Sequence, residues 1–449
     1  MKPPGAPMSW STGARADPAA SAVLAAYRVA GFLVRPLLPL ALARRAARGK
    51  EERGRLGERF GRASLPRPPG PLVWVHAASV GETNAVMPLI ARILAAGPSV
   101  VFTCVTMRAA EIAAARLPAG AIHQFSPLDI APLVGRFLAH WRPDCALFVE
   151  SELWPATIMK LAALGIPQIL VNARLSPRSF AGWHRFPRIA RALFSRIGLC
   201  LAQSEKDGER YRALGVPAVT VTGNLKFDAP APAADPAAVA AFRAVIGNRP
   251  TWVAASTHAG EEEAVAAAHR LLRADRPDVL TIIVPRHPER GPEICAMLAA
   301  AGLSVAQRSA GEAIGPRTDI YLADTMNELG LFYRAAPIAF LGGSLISHGG
   351  QNPIEPARLD TVILHGPDVH NFEEIYAALD ACTGARPVSD AADLAATLAS
   401  LFDDRDSIRR AATAAAKALA PFSGAVERTM QALAPFLAEG GALRRSAGA

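Results

Sequence analysis

From residue 72 onward, short apolar runs rich in β-branched residues alternate with Ala-rich stretches of helical length. A first series of runs covers 72–77, 100–105, 146–149, 168–171, 199–202 and 219–221, and a second covers 251–255, 280–284, 320–322, 338–341 and 361–364. Within each run the apolar character is continuous rather than on every second residue. Continuous apolar strands separated by helices predict parallel sheets covered on both faces. Between the two series lies 228–239, DAPAPAADPAAV, whose Pro/Ala composition predicts an interdomain linker. The expected fold class is α/β, with two doubly wound domains and a cleft between the carboxyl ends of their sheets. The boundaries that follow are a basic and apolar segment 1–68, a first domain 69–227, a linker 228–240, a second domain 241–430 and a tail 431–449.

Residues 19–43 form a further apolar stretch, interrupted by Arg28, Arg35, Pro36 and Pro39. The part before the first proline, 19–34, would reach about 24 Å as a helix, short of a hydrocarbon core of about 30 Å. A central Arg adds about 2.5–3.5 kcal/mol against insertion. Arg44, Arg45, Arg48, Lys50, Arg53 and Arg55 follow closely. An apolar stretch flanked by a polybasic cluster suits an interfacial anchor on an anionic cytoplasmic leaflet, with simple packing as the alternative. A secretory signal would place its charge before the apolar run, and the positive-inside rule keeps the body of the protein cytoplasmic.

Composition sharpens this picture. The chain has 449 residues, 51% hydrophobic and 19% charged, enough apolar material for two or three domains and incompatible with a mainly disordered chain. Its five cysteines are far apart and include no CxxC pair, which points to a reducing compartment and away from a disulfide framework or a cysteine zinc site. The net charge of +9 is confined to one end: residues 1–68 hold 13 Lys+Arg against 4 Asp+Glu, and the remainder is balanced at 35 of each. A nucleic-acid protein would carry its basicity on the folded domains, so no nucleic-acid partner is expected. No GxGxxG follows the first strand and no GxxxxGK[ST] occurs, which disfavours dinucleotide and P-loop sites.

Candidate chemistry is gathered at strand ends. HAASVGE places Ser79 and Glu82 in S-x-x-E spacing, either a capping box or a carboxylate available as a general base. FVESELWP carries Glu150 and Glu152, which an extended backbone would aim to the same side; their mutual repulsion calls for a cationic or hydrogen-bonding partner. Trp154-Pro155 suits a helix start. Lys226, in TGNLKFD, precedes the linker, and PRHPER sets Arg286 and His287 after a strand, where an anion could be gripped. Met326-Asn327-Glu328 opens an expected helix, and 342–355, GGSLISHGGQNPIE, combines glycine turns with another helix start. Such turns let a backbone approach a ligand, and helix N–H groups favour phosphate, whereas Glu355 suits ribose hydroxyls better. Asp404-Arg405-Asp406 has the DxD form used by some metal-dependent sugar transferases, but it precedes a strong helix former and reads as a cap. No metal-ligand spacing stands out elsewhere.

Taken in order, HAASVGE, ESELWP, NARLSPRS, TGNLKFD, PRHPER, DTMNEL and GGSLISHGGQNPIEP resemble the motifs of the 3-deoxy-D-manno-octulosonic acid (Kdo) transferases of Gram-negative lipopolysaccharide synthesis, over about residues 25–425. The resemblance implies a GT-B fold, two Rossmann-like domains facing across a cleft, and transfer of Kdo from CMP-Kdo to a lipid A precursor at the cytoplasmic face of the inner membrane. It implies an inverting reaction with neither metal nor cofactor. By motif, Glu82 would be the general base, and Glu152 and Lys226 would stabilise the transition state. Pro285, Arg286, Met326, Asn327, Glu328, Asn352, Pro353, Ile354 and Glu355 would contact CMP. The family usually has Gly where Asn327 stands and His where Gln351 stands; Asn accepts a left-handed backbone better than most residues. The alternatives are another GT-B transferase or an epimerase using a UDP-sugar, and a non-catalytic sugar-nucleotide binding protein tethered to the membrane.

Overall fold

The apolar run at residue 72 becomes β1 (Leu72–His76), a strand buried along its whole length. A computed structural model describes residues 17–228 and 231–438, which divide into two units: the chain up to 228 together with 422–438, and the stretch 231–421. In the first unit β1 is joined by β2 (Ser99–Cys104), β3 (Ala121–Phe125), β4 (Cys145–Val149), β5 (Gln168–Ala173), β6 (Leu199–Ala202) and β7 (Val219–Val221). All pair in parallel, in the order β3-β2-β1-β4-β5-β6-β7.

Strand alternation divides the core into two layers. Val73 and Val75 pack with the helices Val80–Ala95, Met107–Arg116 and Ala425–Ala438. Leu72 and Trp74 pack on the opposite face with Ala131–Trp141, Pro155–Ala163, Pro187–Phe194 and Glu205–Leu214. Because both faces are covered, the inner strands need apolar residues at every position, which is why they read as continuous runs.

The second unit repeats the plan with β8 (Thr251–Thr257), β9 (Leu280–Pro285), β10 (Val305–Gln307), β11 (Ile320–Leu322), β12 (Ile338–Leu341), β13 (Val362–His365) and β14 (Ala385–Pro387), in the order β10-β11-β9-β8-β12-β13-β14. Each sheet has a switch point where the chain returns to the other side of its first strand, between β1 and β4 and between β8 and β12. In doubly wound sheets the carboxyl ends of strands at such points are where ligands bind.

Three strands were not anticipated, β3, β10 and β14, and all three are edge strands. The end of the expected linker, 236–240, is helical: Asp235 caps Pro236–Ile246, accepting from the Ala237 N–H at 3.0 Å, with Pro at the first helical position. At the other end the expectation is a second domain running to 430 and a tail after it. Instead Ala425–Ala438 is one helix belonging to the first unit, burying Val426, Leu433 and Phe436 in its core.

The N-terminal apolar stretch also departs from expectation. Pro18–Val34, a 3-10 turn Arg35–Leu37 and Leu38–Ala47 follow one another without a break, giving a 30-residue helical path in which an 18-residue stretch has a mean hydropathy of 1.4. Pro36 and Pro39 each fall in the first turn of a new segment, where an amide donor is not needed. The helix therefore does not end at Val34, and by length and composition it could cross a membrane. Ala20, Leu24 and Leu42 are buried against the unit and Tyr27 Oη donates to Asp129 at 2.9 Å. Val29, Phe32, Leu33, Leu37 and Leu40 remain exposed. Part of the basic cluster is internal structure, since Arg45 pairs with Glu51 and Arg55 with Glu58, each at 2.9 Å.

Candidate active site

At the first switch point β1 runs directly into Ser79, the N-cap of Val80–Ala95. Ser79 Oγ accepts from the Glu82 N–H at 3.3 Å and donates to Glu82 Oε1 at 2.8 Å, while the Ala78 N–H donates to Glu82 Oε2 at 2.8 Å. The S-x-x-E spacing thus makes a cap. The same carboxyl is 9% exposed, and its pKa is raised, first by burial and then by Glu150 and Glu152, against the hydrogen bonds from Ala78 and Ser79. Capping and a carboxylate beside two others coexist in one side chain.

Glu150 follows β4 with φ 58, a left-handed backbone, so 150–152 is not extended and same-side alternation does not operate there. The two glutamates find different partners. Lys226 Nζ lies 2.6 Å from Glu150 Oε1. Glu152 Oε2 accepts from Trp154 Nε1 at 2.8 Å and lies 3.6 Å from His76 Nε2. Trp154 caps the helix Pro155–Ala163, as its pairing with Pro155 suggested.

His76, which the sequence reading did not single out, is 1% exposed at the end of β1. The Trp74 indole donates to Thr103 Oγ1 at 2.8 Å, and that hydroxyl lies 2.9 Å from His76 Nδ1. With its oxygen accepting from the indole, the hydroxyl can donate to Nδ1, which leaves the Nε2 proton on the side of Glu152.

Lys226 sits in the turn Leu225–Asp228, held on three sides. Asn172 Oδ1 accepts from the Leu225 N–H at 2.8 Å and Asn224 Oδ1 from the Lys226 N–H at 3.0 Å. Asp228 accepts from the N–H groups of Gly424 and Val426, each at 2.6 Å, so the start of the last helix fixes this turn. The first unit therefore brings Glu82, Glu150, Glu152, Lys226 and His76 into one neighbourhood of three carboxylates, one ammonium and one imidazole.

In the second unit the expected nucleotide contacts leave the carboxyl ends of β9, β11 and β12. Pro285, Pro353 and Ile354 are buried, whereas the side chains of Arg286, Met326 and Asn327 are exposed. Asn327 has φ 63, the backbone for which glycine would be the usual choice. Glu328 is bound by Arg308 through Nε at 2.6 Å and Nη2 at 2.5 Å and by the Thr325 hydroxyl, and the Arg308 hydrogen bonds hold its pKa down. Glu355 accepts from Asn352 Nδ2 at 3.2 Å and has its pKa raised by burial.

The glycine turn after β12 corrects one expectation. A Cβ on Gly342 would meet Ser256 O at 2.4 Å, so glycine serves chain packing there. The N–H groups of Gly343, Ser344 and Leu345 donate to Glu261 at 2.7, 3.0 and 3.1 Å, and that of His258 at 3.0 Å. Glu261, fully buried and not among the expected site residues, takes the N–H groups of a turn expected to let the backbone approach a ligand. The helix expected after 349–355 is a single turn, Ile354–Ala357. Asp404 caps Arg405–Leu419, accepting from the Ser407 N–H at 2.9 Å, in accord with the capping reading of the DxD triplet. Among the described residues no group of three or more His, Cys, Asp or Glu is arranged to hold a metal.

Comparison with known proteins places these features. Residues 54–229 match the family described as 3-Deoxy-D-manno-octulosonic-acid transferase (kdotransferase). The chain is 34% identical to the 3-deoxy-D-manno-octulosonic acid transferase of Haemophilus influenzae, over 90% of this chain and 97% of that one. It is 38% identical to the protein of the same description from Bordetella pertussis, over 84% and 91%. In fold it is similar to a glycosyltransferase from Rickettsia africae, with a TM-score of 0.58 at 11% identity, covering 82% of this chain and 99% of that one. A UDP-GlcNAc 2-epimerase from Neisseria meningitidis gives a TM-score of 0.55 at 13% identity, covering 82% and 100%. Those two likenesses concern the two-domain α/β fold of GT-B type alone.

Proposed function

The chain belongs to the 3-deoxy-D-manno-octulosonic acid (Kdo) transferase family, and from that premise we propose that it takes Kdo from CMP-Kdo and places it on a lipid A precursor. The single observation that carries the mechanism is the gathering of Glu82, Glu152 and the Glu150–Lys226 pair around the first switch point. In this proposal an acceptor hydroxyl attacks the anomeric carbon of Kdo and its proton passes to Glu82. The bond from that carbon to the phosphate oxygen breaks, its electrons leave with CMP, and the configuration inverts.

Burial and neighbouring carboxylates make Glu82 a stronger base than a solvated glutamate. A positioned base of this kind contributes about 10²–10⁴-fold in rate. Lys226 would meet the negative charge of the donor carboxylate or of the departing nucleotide, with Glu150 holding its ammonium in place. Glu152, tied to Trp154 and beside His76, would support the positive charge that develops on the sugar ring. Pro285, Arg286, Met326, Asn327, Glu328, Asn352, Pro353, Ile354 and Glu355 would form the CMP site, with no metal or cofactor required. The exposed apolar face of Pro18–Ala47 would attach the enzyme to the cytoplasmic leaflet of the inner membrane, where the lipid acceptor resides.

The test is incubation with CMP-Kdo and a tetraacylated lipid A precursor, followed by mass spectrometry of the lipid. The expected product is the acceptor increased by Kdo, formed in the presence of a chelator. No product from the intact protein, or product only from a UDP-sugar, would overturn the reading.

A further inference from the structure

The second unit contains a cluster of imidazoles that the mechanism above does not use. His258, 8% exposed, follows β8 at the second switch point, and its ring centroid lies 4.2 Å from that of His348 and 5.9 Å from that of His287. Gln351 Nε2 lies 3.3 Å from His258 Nε2. Three segments supply these groups: the end of β8, the turn after β9 and the loop after β12. We propose that His258, His348 and Gln351 form an oxyanion site for the phosphate of a bound cytidine nucleotide, with His258 taking up one proton from solvent as the phosphate enters.

The charges around His258 point to an anion. Arg286, Arg290, His287 and His348 face it from the β9 and β12 sides. Three carboxylates open the helix that follows it, and each is committed elsewhere, Glu263 to the Gly260 N–H at 3.1 Å. Glu261 is saturated by four backbone N–H groups, and Glu262 accepts from Thr257 Oγ1 and Arg290 Nη1, each at 2.9 Å. Glu289 lies 3.3 Å from His287 and is committed there. What remains is a concentration of donors and cations at the carboxyl ends of strands flanking a switch point, the place where doubly wound sheets receive ligands.

The resting protonation state supplies the linkage. Burial first, then His348, His287, Arg286 and Arg290, hold the His258 pKa down to about 4, so the ring is neutral near pH 7. An amide N–H of Gln351 can donate to the Nε2 lone pair of that neutral ring. An entering phosphate opposes the repulsion that keeps the proton off. Once Nε2 is protonated it can no longer accept from Gln351, and both groups then donate to the phosphate. Affinity therefore rises as pH falls from the bound-state pKa toward the free-state value, by at most about tenfold per pH unit for one proton.

The inference rests on the cytidine-nucleotide reading, and the experiment separates the two. The probe is cytidine 5′-methyl phosphate, a diester whose single negative charge does not titrate near neutrality, with cytidine as the uncharged control. Isothermal titration of the full chain should show the diester binding several-fold tighter at pH 6 than at pH 8, with net proton uptake across buffers of different ionisation enthalpy, while cytidine is unaffected by pH. His258→Gln should flatten the diester profile and leave cytidine affinity intact, the latter reporting a native second unit. His348→Gln, at an exposed position, should shrink the pH dependence by relieving repulsion on His258 and by removing a donor. A diester profile as steep in His258→Gln as in the parent, or a flat one in the parent, would overturn the imidazole site. Failure of the parent to bind either probe at any pH would overturn the cytidine reading itself.

Discussion

Glu82 carries two demands that pull its chemistry in different directions. As the third residue of its helix it closes a cap through Ser79 and Ala78, a task that a glutamine can also perform, its oxygen accepting from Ala78 and its N–H donating to the Ser79 hydroxyl. As the proposed base it must be ionised in a buried place beside Glu150 and Glu152, which raises its pKa. Because the folded pKa lies above the unfolded one, the ionised group costs stability at neutral pH, and that cost disappears as pH falls through the folded value. Glu82→Gln should therefore match or exceed the parent in thermal denaturation at pH 7.5. Transfer should fall by at least about 100-fold, measured as Kdo-lipid formed per minute. In the parent, the acid limb of the rate profile should lie above the usual glutamate range. At this scale the sequence disclosed the cap and the left-handed tolerance of Asn327, now seen at φ 63. It could not disclose Glu261 or His258. Glu261 reads as one of three acids in a helix first turn, and its burial depends on a turn some eighty residues later. The available signal for His258 was its place directly after a predicted strand, the argument that did single out His287.

Among elements, the last helix has the largest structural consequence. Leu433 is fully buried in the layer that also contains Val86, Leu89 and Ile90 of Val80–Ala95, the helix that presents Glu82. Leu433→Ala should destabilise the first unit by about 2–5 kcal/mol, read as a lowered denaturant midpoint at unchanged slope. A change near zero would mean the helix is not part of that core. Interior strands were legible because cover on both faces demands unbroken apolar runs. The edge strands β3, β10 and β14 were not, since β3 carries His123 and Gln124, and β10 and β14 are three residues each. The continuation of the first helix past Pro36 and Pro39 escaped notice for a related reason. Proline breaks a helix interior but suits a first turn, and the intervening 3-10 turn converts one situation into the other.

For the whole molecule, the proposed membrane attachment turns on the exposed apolar side of the N-terminal helix. Phe32, Leu33 and Leu37 are 58, 69 and 64% exposed, so changing them adds no cavity to the core. Replacing all three by Glu should reduce co-sedimentation with anionic vesicles by more than tenfold while the melting temperature stays within a degree or two. The scale follows from about 1.5–3 kcal/mol for burying each such side chain. Retention equal to the parent would place the membrane contact elsewhere. A last consequence belongs to the order in which the chain is made. The helix Ala425–Ala438, which closes a face of the first sheet and ties down the Lys226 turn through Asp228, is encoded after all of the second unit. Until residues 424–438 have been made and have emerged from the ribosome, the earlier unit has an uncovered flank, and the Lys226 turn lacks this support. A polypeptide ending before residue 424 would lack both, so assembly of the candidate site depends on a segment translated after the whole of the second unit.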